Sequence, residues 1–150
     1  MTLADALPNI DFVMSMVLPV DVPQMVADRY QMEAMLHNTT KPIVFVTYDL
    51  AGCVDAVEMA EAVVGGPDAL RQNPLVACYI NVTTGLTHND EALQKLLYLA
   101  GKGLPALYIP VASGGMTGPV TPAGTLALVN TGALVGLVLS QLKREGAPFV

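Results

Sequence analysis

The spacing of five short apolar runs is the feature that most constrains what this chain can fold into. The runs are "IDFVMSMV" (Ile10–Val17), "PIVFVTY" (Pro42–Tyr48), "LVACYIN" (Leu75–Asn81), "PALYIP" (Pro105–Pro110) and "APFV" (Ala147–Val150). They begin near Asp11, Pro42, Leu75, Pro105 and Ala147, so successive starts lie 31, 33, 30 and 42 residues apart. Each interval carries helix signals. Pro23 stands at a first turn, a position proline favours, and Gln24 to Leu36 continue it. Val54 to Val64 and a short turn from Pro67 to Gln72 fill the second interval. Asp90 to Ala100 puts Leu93, Leu96, Leu97 and Ala100 on one face at helical spacing, with Thr87 and Asp90 as a capping box and Gly101 and Gly103 at the end. Thr121 reads as an N-cap before Pro122, and that helix runs to about Arg144, with Gly146 as its stop.

Strict alternation of strand and helix builds a parallel sheet from βα units. A repeat this even suits a (β/α) barrel, which takes about 250 residues for eight units. The expected fold is therefore α/β. Residues 1–150 form a single partial domain, part of a TIM (β/α)8 barrel with four βα units and the start of a fifth strand. The doubly wound sheet is the alternative. "TLADAL" reads as the tail of a helix and the final "FV" as a strand just begun, so the span is expected to be a slice of a larger barrel. Unpaired edges and uncovered apolar faces would make such a slice poorly soluble and inactive alone.

Composition agrees. The chain is 53% hydrophobic and 13% charged, where about 25% charged is usual. The apolar stretch from Thr125 to Leu142 contains Asn130, Thr131, Ser140, Gln141 and two glycines, and reads as a buried helix rather than a membrane span. The net charge is −6 and there is no basic patch, which argues against a nucleic-acid partner. "MTLADALPNI" has neither the basic start nor the apolar centre of a signal peptide, and Cys53 and Cys78 read as small buried hydrophobes, so a cytoplasmic location is expected.

In barrels of this kind the working face is the C-terminal end of the strands. Side chains alternate along a strand. In "LVACYIN" the apolar set Val76, Cys78 and Ile80 suits covering helices, which leaves Ala77, Tyr79 and Asn81 pointing inward. The same parity places Ser15, Thr47, Asp49 and Tyr108 inward, while Tyr48 has the opposite parity. The stretch "SGGMTGPVTPAG" follows the fourth strand and leads into a helix N-terminus at Thr121 and Pro122. Ser113, Gly114, Gly115, Thr117 and Thr121 are expected to close over a substrate there. The glycines at 114, 115 and 118 would bring backbone N–H groups close to an anion. A tight turn that needs glycine only for its dihedrals is the alternative. His37 and His88 lie 51 positions apart with no companion ligands, so no metal site is expected. Asp55, Glu58 and Glu61 read as a solvated helix face. No nucleophile elbow, dinucleotide fingerprint or P-loop is present, and no catalytic residue is assigned.

Several blocks taken together carry a family resemblance. "NIDFVMSMVLPVDVP", "NTTKPIVFVTYD", "YINVTTGLTHNDEALQKLLYLAGKGLPALYIP", "TGPVTPAGTLALVN" and "GLVLSQLKREGAPF" resemble consecutive blocks of the trimethylamine methyltransferase family, over nearly the whole chain. The chain departs from the family pattern at "VASGGMTGPVT", where only the glycine-rich character is kept. The resemblance implies a TIM barrel and a methyl transfer. The donor would be a methylated amine, trimethylamine or a quaternary amine such as glycine betaine. The acceptor would be the cobalt of a corrinoid carried by a separate protein. It implies no cofactor bound directly, no membrane, and a homo-oligomeric full-length enzyme. Such chemistry needs a cation held in line, with aromatic faces and a few oxygens around it, rather than an acid–base pair. Two other functions stay open: an unrelated barrel enzyme that binds a phosphorylated or anionic metabolite at the glycine-rich loop, and a non-catalytic truncated product.

Overall fold

The computed structural model describes residues 1–14, 17, 19–84 and 86–150. Helices and strands alternate: α1 (Thr2–Ala6), β1 (Val13–Met14), a 3₁₀ turn (Gln24–Val26) leading into α2 (Ala27–Asn38), β2 (Ile43–Phe45), α3 (Leu50–Val64), α4 (Pro67–Gln72), β3 (Val76–Val82), α5 (Asp90–Lys102), β4 (Ala106–Pro110) and α6 (Pro122–Lys143). The sheet has four strands in the order β1-β2-β3-β4. Pairing is parallel, with Val13 beside Ile43 and Val44 beside Ala77. This is the βα alternation the spacing predicts. β2 is shorter than expected, its regular pairing ending at Phe45, and residues 15 and 16, expected to continue β1, lie outside the described residues. The chain divides within β3 into two compact units, Met1–Cys78 and Tyr79–Val150.

In the first unit, Ile43 and Phe45 of β2 and Val76 and Cys78 of β3 are buried, together with Met32 and Met35 of α2, Cys53 and Val57 of α3 and Leu70 of α4. Both cysteines are buried and neither is in a disulfide, in keeping with small hydrophobes. Asp49 caps α3 by accepting a hydrogen bond from the Gly52 N–H at 2.7 Å, so that helix starts four residues earlier than its apolar pattern indicates. The short helix α1 is held by polar contacts. Asp5 Oδ1 accepts from Thr39 Oγ1 (2.8 Å) and the Thr40 N–H (2.7 Å), and Lys41 Nζ donates to the carbonyls of Ala4 and Leu7. The Thr40 amide, then the Thr39 hydroxyl, hold the Asp5 carboxyl below its ordinary range. A carboxyl depressed in the folded state contributes stability that is complete above the ordinary carboxylate range and lost as pH falls through its folded value. Hydrogen exchange at α1 should therefore accelerate on acidification before that of α2 and α3. In Asp5→Asn the exchange of α1 should already be fast at neutral pH. Uniform acceleration across the unit would contradict this.

In the second unit, β3 alternates cleanly. Ile80 and Val82 are buried, Tyr79 is half-buried and Asn81 is exposed. β4 packs against α5 and α6. The chain end adds a stub beside β4, where the Val150 N–H donates to the Ala106 carbonyl at 2.9 Å and the Tyr108 N–H to the Val150 carbonyl at 3.0 Å. This parallel bridge lies where the sequence leads one to expect the start of a fifth strand. Helix α5 ends at Gly103 in the left-handed conformation, but its N-cap is Asn89 rather than a box built on Thr87, which pairs with Thr84 instead.

Helix α6 corrects an expectation. It forms over the predicted residues and is capped by Thr121, whose Oγ1 accepts from the Gly124 N–H. It is not a buried helix. Only Gly132, Gly136 and Ser140, one turn apart, are buried, while Leu126, Leu134, Val138 and Leu142 are exposed. The small stripe lets the helix approach β4 closely, with Gly136 against the Tyr108 ring. By length and composition alone α6 could also cross a bilayer, which is weak evidence for a single helix.

Candidate functional site

In the first unit the residues after β2 lead into a charged cluster. Asp28, at the start of α2, has a side chain only 1% exposed. Its carboxylate accepts from the Arg29 N–H (3.0 Å), from Arg29 Nη1 (3.1 Å) and from the Tyr48 N–H (3.2 Å). Arg29 also donates from Nε to Asp55 Oδ2 at 2.7 Å and from Nη1 to the Met25 carbonyl at 2.9 Å, and Asp49 Oδ1 lies 3.8 Å from its Nη2. The bond to Asp55, and then the charge of Asp28, make this guanidinium more basic than an ordinary arginine. Asp55 is thus an ion-pair partner and not merely part of a solvated face.

This arrangement corrects the expectations for Thr47 and Asp49. The register sets Ile43 and Phe45 beside Val76 and Cys78 on the buried side, so the inward set of β2 is the even-numbered one, beginning with Val44. Thr47 is buried at 7% exposure, and its hydroxyl donates to the Asp49 carbonyl. Asp49 is a helix cap and part of the Arg29 cluster. Ser15, also expected to face inward, lies outside the described residues.

In the second unit Tyr79 and Asn81 keep the expected parity, on the side of β3 opposite its buried residues. Tyr108 does not. Ala106, Tyr108 and Pro110 are the buried set of β4, and the Tyr108 ring lies against Gly136 of α6. A Cβ built at Gly136 would fall 2.6 Å from Tyr108 Cε1. The tyrosine therefore fills the layer between strand and helix, 2% exposed, and burial pushes its pKa up to about 12. Its hydroxyl still reaches the rim. Oη lies 2.7 Å from Nδ1 of His88, in the β3–α5 loop, and the two rings are within 8° of parallel. Phe149 packs at a tilt on the same ring, 6.1 Å between centroids. Sequence reasoning considered His88 only as a metal ligand. Its partner is 20 residues away on another strand, so no spacing rule could reveal the pair.

The glycine-rich loop is a closed turn. The N–H groups of Met116, Thr117 and Gly118 all donate to the Ser113 carbonyl, at 3.0–3.1 Å, and the Gly115 N–H donates to the Gly118 carbonyl at 3.1 Å. The Ser113 N–H donates to Thr117 Oγ1. Gly115 sits at φ +78°, where a side chain is strained. Thr121 serves as the cap of α6. The amides of Ser113, Gly115, Met116, Thr117 and Gly118 are therefore bonded inside the turn, an arrangement that favours the tight-turn alternative. Gly114 bridges Gly118 across the turn. Among the described residues no group of three or more His, Cys, Asp and Glu could hold a metal ion.

The chain is 34% identical over 146 residues to the trimethylamine methyltransferase MttB of Desulfitobacterium hafniense strain DCB-2, covering 97% of this chain and 29% of that protein. It is 29% identical over 136 residues to the glycine betaine methyltransferase of D. hafniense strain Y51, covering 91% of this chain and 28% of that one. The MttB of Methanosarcina barkeri strain Fusaro is 32% identical over 83 residues. The chain thus spans less than a third of the length of these two curated relatives. The family model for trimethylamine methyltransferase (MTTB) matches residues 1–150, and the chain belongs to that family.

Proposed function

We propose that this span is part of a methyltransferase of its relatives' length, which takes a methyl group from a small methylated amine and delivers it to a corrinoid carried by a partner protein. The single observation that carries the reading is the family match over all 150 residues. The parallel βα order supports the barrel, with its working face at the strand ends. In the reaction the C–N bond breaks, nitrogen keeps its electron pair, and the demethylated amine leaves. A reduced corrinoid supplies the electron pair that accepts the methyl group. This chain's own residues hold the amine. On β3, the half-buried ring of Tyr79 offers a face to a methylammonium cation, and the exposed amide of Asn81 offers an oxygen. Pre-set orientation and the exclusion of water then lower the barrier without an acid–base pair. A cytoplasmic location and a homo-oligomeric full-length enzyme belong to the same proposal.

The test is to mix the complete protein with reduced corrinoid protein and trimethylamine or glycine betaine, and to follow both the corrinoid spectrum and the demethylated amine. Transfer from either amine is expected; transfer from neither would reject the reading. Asn81→Ala should lower the rate by about tenfold, equal to roughly 1.4 kcal/mol of transition-state stabilisation, with the unfolding midpoint unchanged. Lost stability with full activity would make Asn81 structural.

A further inference from the structure

We infer that His88 is a hydrogen-bond donor of the amine-binding site, that Tyr108 sets its tautomer from the layer beneath, and that its ligand is the carboxylate of a betaine-type substrate. The inference rests on the methyltransferase reading above. The proton between the two rings can be placed by elimination. Tyr108 is 2% exposed, and among the described residues its hydroxyl has one hydrogen-bond partner, His88 Nδ1, at 2.7 Å. If Nδ1 carried the proton and donated to Oη, the phenolic O–H would be buried with no acceptor, a costly arrangement. Burial also keeps the phenol protonated, with its pKa pushed up to about 12. The hydroxyl therefore donates, Nδ1 accepts, and in the neutral ring the remaining proton sits on Nε2.

The direction of Nε2 follows from ring geometry. The two nitrogens of an imidazole aim to opposite sides, so Nε2 points away from Tyr108 and from the buried layer. His88 is half-exposed, and among the described residues Nε2 has no hydrogen-bond partner. It follows β3 in the loop that opens α5, beyond the same strand end that presents Asn81. A fixed N–H donor does nothing for a tetraalkylammonium group, which has no acceptor atom, whereas a carboxylate is a strong acceptor. The glycine-rich loop, whose bonds close on themselves, leaves that task open.

The test is made on the complete protein with ¹⁵N-labelled histidine, with the His88 signals identified by their loss in His88→Gln. Long-range ¹⁵N–¹H spectra should show Nε2 protonated and Nδ1 bare. Tyr108→Phe, which keeps the ring against Gly136, should turn this into a mixture of tautomers. A proton on Nδ1 in the wild type, or a tautomer unchanged in Tyr108→Phe, would overturn the assignment. Glycine betaine should shift the Nε2–H resonance, while tetramethylammonium should not. In the transfer assay Tyr108→Phe and His88→Ala should raise KM for glycine betaine about tenfold and leave KM for trimethylamine unchanged, and His88→Gln, which keeps one acceptor and one donor, should restore most of the difference. An unmoved Nε2–H under saturating glycine betaine, or equal effects on both amines, would refute the carboxylate role. A wild type that demethylates neither amine would instead reject the methyltransferase reading, and with it the proposed ligand, leaving the tautomer to be decided by the spectra alone.

Discussion

Arg29→Ala is expected to destabilise the protein by about 3 kcal/mol, the range for removing one partner of a buried ion pair. The Asp28 carboxylate would stay in place, 1% exposed, with only the Arg29 and Tyr48 backbone amides left to satisfy it. Asp55 and the Met25 carbonyl would lose their donor as well. The exposed pairs to Asp55 and Asp49 contribute little to this figure, since both carboxylates are about half solvated. Asp28 is therefore the group that decides the outcome. Asp28→Asn added to Arg29→Ala should recover part of the loss, because a neutral amide is less costly to bury than a lone carboxylate. Urea unfolding of the three variants measures this. A loss below about 1 kcal/mol for Arg29→Ala, or a double variant worse than the sum of the two singles, would mean that Asp28 is already satisfied by the backbone.

Gly136→Ala is expected to cost about 2 kcal/mol, although alanine favours a helix interior over glycine by roughly 1 kcal/mol. The added methyl would overlap the buried Tyr108 ring at 2.6 Å from Cε1. The ring has little room to retreat, because His88 holds its hydroxyl and Phe149 packs against it. Helix α6 must then lift from β4, and Gly132 and Ser140, the other buried positions of the stripe, lift with it. Tyr108→Leu should be destabilising alone but should relieve the clash, so the pair should show a coupling of about 1–2 kcal/mol in a double-mutant cycle. If Gly136→Ala stabilises the protein by its helix propensity, the close approach of α6 to β4 is not tight. The exposed leucines of α6 supply a control: Leu134→Ala, half-exposed, should change stability far less than the added methyl at Gly136.

How much of this was legible in the chain depends on whether a feature is local. The βα alternation, the cap at Thr121, the left-handed end at Gly103 and the two-faced pattern of β3 were legible, because each depends on a few adjacent residues and on the period of the backbone. The family was legible because its blocks recur in order along the whole span. The parity of β2 and β4 was not. "PIVFVTY" and "PALYIP" are apolar on both sides, so alternation alone cannot say which side meets a helix. The register of β2 with β3 decided the first, and turned Thr47 and Asp49 to structural tasks. The missing side chain of Gly136 decided the second, since it leaves on α6 a space that the buried Tyr108 ring fills. The glycine-rich loop announced a tight backbone path, yet only the hydrogen bonds converging on Ser113 showed that its amides serve the turn itself. The Asp28–Arg29–Asp55 cluster and the His88–Tyr108 pair join residues far apart in the chain. Sequence sets which groups can ionise or donate, but tertiary packing sets which of them are desolvated together, and desolvation is what gives a charge or a proton its energetic weight.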